Sequence, residues 1–332
     1  MKSSQRTVEV AVRYVTRLLA TFALAVAGAA LAQGYPTRPI KLVVPWPPGQ
    51  STDITARMLA EKLALALGQP VVVDNRPGAG GIIGTEFVSK AAPDGYTLLA
   101  GSSGPMTISP VVQKTLYDPL KDFAPISLLQ TGIFVLVVNP SVPAPGAKEL
   151  VALLRANPGR YSYSSAGNAS TQHLCLELFN FMAQVKATHV PYKGSAPSIT
   201  DVVGGQVAYT MDTWTALMGS VKGGRLRALA VSTARRSAVL PDVPTIAEAA
   251  DLPGYDMSGW QGLLAPAGTP RELISRLSAE TRKILRLRDV IEQYLVRGVE
   301  STDTTPEEFA EYIRQQLARY GAIVKQANVR LE

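Results

Sequence analysis

From Ile40 onward, short apolar runs alternate with segments in which apolar positions recur every three or four residues. Ile40 to Val44 reads as a strand. Ile54 to Leu67 reads as a helix, with Ile54, Met58, Leu59, Leu63 and Leu67 near one face. Val71 to Val73 is the next strand, followed by a glycine-rich turn and a helix near Gly84 to Lys90. Thr97 to Ala100 gives a third strand. Such alternation predicts a parallel sheet covered by helices.

A long strand-rich stretch follows, Ile126 to Val138, with Gly132 interrupting it. A second α/β series then begins. Leu150, Leu153 and Leu154 mark a helix, Tyr161 to Ser164 a strand, and Leu174, Leu178, Phe181, Met182 and Val185 a helical stripe. Thr188 to Val190, Val207 to Met211 and Ala228 to Val231 read as further strands. Near the end, Thr269-Pro270-Arg271-Glu272 and Thr305-Pro306-Glu307-Glu308 each match a capping box with proline at the first helical position. The second opens a stripe of Phe309, Ile313, Leu317, Tyr320 and Val324. Two α/β units joined by long extended segments imply two lobes, residues 33–130 with 258–332, and 131–257. The crossings are Ile126–Val138 and Met257–Ala265, where a few residues can absorb a hinge rotation.

The first 32 residues do not belong to this pattern. Lys2, Arg6, Arg13 and Arg17 precede an apolar, alanine-rich run from Leu18 to Leu31, and Ala30-Leu31-Ala32 offers small residues for cleavage. That run falls short of the ~20 residues needed to span a bilayer, so an export leader is favoured over a retained anchor. No cysteine follows the cut for a lipid anchor, and no arginine pair marks a twin-arginine route. The leader marks the chain for export.

The chain has 332 residues, 46% hydrophobic and 18% charged, which is the composition of a folded protein rather than a disordered one. Loss of the leader's four basic residues and one acid lowers the net charge from +7 to +4. The basic residues are scattered; only Arg235-Arg236 and Arg282 to Arg288 cluster, as solvated faces do, so no nucleic-acid surface is expected. Cys175, the single cysteine, lies in an apolar helical pattern and reads as buried filler, so the core must stabilise the fold without a disulfide.

The inventory of catalytic motifs is thin. His173 and His189 are the only histidines and have no neighbour at metal-ligand spacing. Neither a nucleophile elbow nor a phosphate loop occurs. Gly78-Ala79-Gly80-Gly81-Ile82-Ile83-Gly84 misses the dinucleotide fingerprint because Ile83 holds its third glycine position. Even so, Gly80 and Gly81 let backbone N–H groups face an anion beside a helix N-terminus; a plain tight turn is the alternative. Three more small, polar loops follow strands in the same way. Pro48, Gly49, Gln50, Ser51, Thr52 and Asp53 follow the first strand, and Ser102 and Ser103 the third. Ser165, Gly167, Asn168, Ala169, Ser170 and Thr171 lie in the loop of the second unit. In parallel sheets ligands collect at the carboxyl ends of strands, so these loops can face one cleft. Asp212 follows a second-unit strand and either orients a donor, receives an amine, or caps a helix. Trp46 and Trp260 either wall a pocket or pack in the core, and Lys193 either attracts a carboxylate or sits in a surface turn.

At these residues the sequence resembles the substrate-binding receptors of tripartite tricarboxylate transporters, the Bug receptor family. The matching stretches are YPTRPIKLVVPWPPGQSTDITAR (35–57), VVVDNRPGAGGIIGTEFVSKAAPDGYTLL (71–99), SSAGNASTQHL (164–174), VPYKGSAPSITDVVGGQV (190–207) and GLLAPAGTP (262–270). The resemblance implies an α/β fold of the periplasmic binding protein type II kind, with two lobes joined by crossing strands around a ligand cleft. It also implies carboxylate binding through loop amides, small polar side chains and waters, with no arginine clamp, cofactor or metal. The family's first ligand loop falls on Pro48 to Asp53, its serine/glycine/asparagine loop on Ser164 to Thr171, and its aspartate on Asp212. Two departures stand out: Gln50 where the family commonly has the second glycine of a pair, and Thr213-Trp214 where an asparagine is usual. An aromatic wall at Trp214 would suit a ring-bearing acid. The expected protein is a monomeric, non-enzymatic receptor that delivers a small organic anion to the transporter's membrane components. A receptor presenting its closed form to a sensor kinase and an exported hydrolase are the alternatives.

Overall fold

The computed structural model describes residues 34–326, so the leader read at 1–32 lies outside the described residues. From Pro39 onward the chain forms one compact unit. It opens with strand β1 (Ile40–Val44), helix α1 (Ser51–Leu67), β2 (Val71–Asn75), α2 (Ile82–Ser89) and β3 (Thr97–Ser102). β1 pairs in parallel with both β2 and β3, as the alternating pattern predicts. α1 starts three residues before its apolar stripe, because Ser51, Thr52 and Asp53 occupy its polar first turn. It stops at Gly68, whose φ of 70° is the left-handed conformation that ends helices cheaply at glycine.

After a wide π-helical turn (Gly104–Ile108) and the short α3 (Ser109–Val112) comes the longest strand, β4 (Phe123–Val138). The second half then adds α4 (Ala147–Ala156), β5 (Ser162–Ser165), α5 (Thr171–Ala183), β6 (Thr188–Pro191), α6 (Ser195–Val203), β7 (Tyr209–Thr213), α7 (Trp214–Lys222), β8 (Arg227–Val231) and α8 (Ile246–Ala249). Return to the first half is through β9 (Ser258–Pro266), followed by α9 (Arg271–Leu285), α10 (Arg288–Val296), β10 (Val299–Ser301) and α11 (Pro306–Gln326).

The strand order is β2-β1-β3-β9-β4-β7-β5-β6, with β8 and β10 also paired to β4. Purely parallel pairing is therefore confined to the flanks. The crossing strands β4 and β9 run antiparallel, in register from Phe123↔Pro266 to Ile133↔Ser258. Beyond that point β4 changes partners and pairs with β7 from Phe134↔Thr213 onward. Gly132 does not break the strand; it stands opposite Gly259, next to the place where partners change. A paired glycine leaves no side chain on either strand there, which suits a backbone that must twist between two sheets.

Each half has its own core. Val43, Leu99, Leu128, Leu264 and Ile313 belong to one; Leu136, Leu154, Cys175, Phe179, Tyr209 and Met211 belong to the other. Cys175 is fully buried, and burial pushes its thiol pKa up, as inert filler requires. α11 links the two cores, contributing Phe309 and Ile313 to the first and Tyr320 to the second. Of the two capping boxes read in the sequence, Thr305/Glu308 forms, with Glu308 N donating to Thr305 Oγ1 at 3.2 Å. The Thr269 box does not. α9 starts at Arg271, so Pro270 takes the cap position and the Thr269 hydroxyl turns back to Pro266 O. An unforeseen box forms instead at Thr245 and Glu248.

The docking of α11 leaves no room at Gly262 of β9, where a Cβ would lie 2.1 Å from Phe309 Cζ. Gly262→Ala should destabilise the fold by about 2 kcal/mol, the cost of overpacking a filled core. Urea unfolding measures this, and an unchanged midpoint would contradict the packing described.

Candidate functional site

The loops that follow β1, β2 and β3 meet the loops that follow β5 and β6. At Gly80 (φ 63°) a Cβ would lie 2.5 Å from Asn168 O, and at Gly194 a Cβ would lie 2.9 Å from Pro47. Only glycine permits these approaches, and through them the two halves touch. Ser103 Oγ and Thr171 Oγ1 add a hydrogen bond of 2.8 Å between the halves.

Behind these contacts lies a small inner cavity of about 50 Å³. Trp46, Gln50, Ser51, Thr52, Ser102, Ser103 and Thr171 line it, all anticipated from the sequence except for their division of labour. Trp46 Nε1 donates to Ser102 Oγ at 2.9 Å, which fixes the indole as a wall. The first turns of α1, α5 and α7 reach the cavity through Ser51 and Thr52, Thr171 and Gln172, and the preceding Thr213. Neither α1 nor α7 has a side-chain cap. Partial positive charge thus converges on a space whose lining, among the described residues, contains no charged side chain.

The remaining anticipated residues fall elsewhere. Gly80, Gly81, Gly167 and Asn168 line an outer groove that also holds the exposed Lys193. Pro48 and Gly49 are at the exposed loop tip. Asp53 lies beneath that tip and accepts from Gly49 N (2.8 Å), Arg57 Nε (3.0 Å) and Asn75 Nδ2 (2.8 Å). Burial pushes its pKa up, but these bonds together outweigh burial and hold it below the ordinary value. Its task is to shape the loop.

Asp212 does not line the cavity either. Fully buried, it accepts from Gln172 Nε2 at 3.1 Å and Thr213 N at 2.7 Å, so it orients a cavity-lining amide. Burial raises its pKa against those bonds. Ser170 caps α5 by accepting from His173 N, and Ala169 is buried behind it. Trp214 is not a pocket wall: it packs among Val135, Leu217 and Val231 and against Gly298. Phe134 and Trp260 line the cavity along with Trp46, and Trp260 also stands edge-on to Phe309 and Tyr312.

Sequence reasoning missed Gln130, Gln172 and Gln261. A signal was present, since Gln130 and Gln261 interrupt the otherwise apolar crossing strands. It also missed the pairing of the two histidines, whose rings stack at 3.8 Å beneath the β5 loop. Ser165 Oγ meets His189 Nε2 at 2.7 Å. This pair is not disposed for catalysis: Ser165 is fully buried, and its hydroxyl also bridges Gly167 N and O. It locks the loop.

Burial, with His189 beside it, pushes His173 down to about 3, and burial pushes His189 down to about 4. Both stay neutral in the fold, whereas in the unfolded chain they protonate near 6.5. The unfolded state therefore takes up more protons, and stability is lost as pH falls from 6.5 towards 4. The melting temperature should drop across that window, and a His173→Gln/His189→Asn variant should show a shallower drop. An equal slope in both proteins would refute this assignment.

The chain matches the model of the tripartite tricarboxylate transporter family receptor over residues 55–329. It is 37% identical to Protein BugT of Bordetella pertussis over 325 residues, 96% of this chain and 99% of BugT. Among solved structures it is similar to Rpa4515 of R. palustris with adipate, at 35% identity and TM-score 0.86, covering 89% of this chain and 98% of that one. It is likewise similar to MatC of Rhodopseudomonas palustris with bound malate, at 31% identity and TM-score 0.83, covering 87% and 100%. With the two-halved α/β fold already described, these matches establish that the chain belongs to the tripartite tricarboxylate transporter receptor family.

Proposed function

We propose that this receptor binds a small organic carboxylate in the inner cavity and presents its closed form to the membrane components of a tripartite transporter. One observation carries the reading: three helix N-termini converge on a cavity lined by hydroxyls and amides and by no charged side chain. Backbone N–H groups at such termini attract anions, each terminus contributing ~0.3–1 kcal/mol when exposed and more when partly buried. An acid side chain in the lining would repel a carboxylate, and none is there. Two similar structures carry the carboxylates adipate and malate.

In this reading residues 33–130 with 258–332 form one lobe and 131–257 the other, hinged where β4 changes partners. Ser103 and Thr171 then belong to different lobes, and their bond helps to hold the closed form. The protein works as a monomer in the periplasm after loss of residues 1–32, so the mature chain starts at Gln33. A micromolar dissociation constant corresponds to about −8 kcal/mol, within reach of several charge-assisted hydrogen bonds in a closed cleft.

Calorimetry on protein from a periplasmic extract, stripped of ligand, with a panel of mono- and dicarboxylates and their methyl esters, tests this reading. A free acid should bind and its fully esterified form should not. Ser103→Ala and Thr171→Val should each weaken binding by about fivefold, the worth of one net hydrogen bond. Binding of sugars with no response to any acid would defeat the proposal.

A further inference from the structure

Two spaces of very different size adjoin where the halves touch, and two side chains keep them apart. The inner cavity has about 50 Å³, whereas the outer groove has about 730 Å³. Trp46 lines both, with its ring held by the bond to Ser102 Oγ, so the indole is one part of the partition. Gln50 is the other part. It lines the cavity and not the groove, while Gly194 of the opposite half lines the groove and not the cavity. A Cβ on Gly194 would lie 3.3 Å from Gln50 Oε1 and 2.9 Å from Pro47 Cγ, so the amide tip abuts the Gly194 backbone. Gln50 is only 8% exposed, and its Oε1 is buried without a hydrogen-bond partner among the described residues. The oxygen thus closes the passage by its bulk and not by pairing with the other half.

The backbone does not require this side chain. Position 50 is the N-cap of α1, with extended angles (φ −77°, ψ 157°), and the Gln50 side chain makes no cap bond. A smaller residue would keep the turn and open the cavity to the groove past Gly194. The cavity's volume gives the consequence. One water needs roughly 10–15 Å³ of such space, so the cavity holds about four water-sized groups. A carboxylate with a short chain fills that space, and a chain of adipate length does not fit unless it passes Gln50.

Resting on the carboxylate reading above, we infer that Gln50 sets the length limit of the site, as a wedge that confines the ligand to a short-chain carboxylate. Removing the wedge joins the cavity to the outer groove, where a longer chain has room. In the intact protein a ligand longer than the cavity holds Gln50 off Gly194 and keeps the halves from meeting at Ser103 and Thr171.

Calorimetry on the ligand-stripped receptor with two ladders of acids tests the inference: acetate, propanoate, butanoate and hexanoate, and malonate, succinate and adipate. Wild-type affinity should peak at a short member and fall at least about tenfold by hexanoate or adipate. Gln50→Gly and Gln50→Ala, each with its fold checked by a melting curve, should bind hexanoate or adipate at least about tenfold tighter than the wild type does. Gln50→Met, which keeps the bulk and discards the amide, should retain the wild-type cut-off at whatever overall affinity. Wild-type protein that binds the long acids as tightly as the short ones would overturn the inference. So would a cut-off unchanged in folded Gln50→Gly and Gln50→Ala, or one lost in folded Gln50→Met. Each of those results leaves carboxylate binding intact. No binding by any acid of either ladder, in wild type or variants, would instead remove the carboxylate reading and this inference with it.

Discussion

The antiparallel pairing of β4 with β9 is the constraint on which the other features depend. These two strands run side by side from Phe123↔Pro266 to Ile133↔Ser258, and then β4 continues into the second half, paired with β7 and β8. The register places Gln130 opposite Gln261 and Gly132 opposite Gly259. One pair supplies a polar floor and the other leaves backbone bare of side chains beside the point where β4 changes partners. The same strands carry the first core, because Leu128 and Leu264 pack with Phe309 of α11. A one-residue slip would exchange the buried and cavity-facing rows, so floor and core are specified together.

In the proposed function, attraction for an anion arises from geometry rather than from charged side chains. Helices α1 and α5 start where β1 and β5 end, on opposite halves, and α7 follows β7 directly. The halves touch through Ser103 with Thr171 and through the glycine contacts at Gly80 and Gly194. The two buried carboxylates near the site serve this arrangement indirectly. Asp53 holds the loop before α1, and Asp212 holds Gln172. Neither contributes its charge to the cavity lining.

Much of this was legible in the sequence, for identifiable reasons. Strands such as Ile40–Val44 and the loops after them were readable because apolar runs and glycine/serine clusters are local signals. The antiparallel crossing was not, since pairing partners are set by long-range contact. For the same reason, which polar residues face inwards was only half legible. Ser51, Thr52 and Thr171 line the cavity as expected, but Asp53 and Asp212 turn away to satisfy neighbouring N–H groups. Trp214 was misplaced because a residue at a helix start can face core or cleft, and here the space beside Gly298 takes its ring. Gln130 and Gln261 were overlooked although a glutamine in an apolar strand is itself a signal, since burying an amide costs about 1–3 kcal/mol without a partner.

The central claim is that a carboxylate sits where helix N-termini from both halves converge. Amide nitrogen and proton shifts recorded while a bound carboxylate is titrated in test it most directly. The account predicts that the largest changes fall on Ser51, Thr52, Thr171 and Thr213, in both halves and with one affinity. Changes confined to the outer groove at Gly80, Gly81 and Lys193, or to the groove holding Arg235 and Arg236, would contradict it.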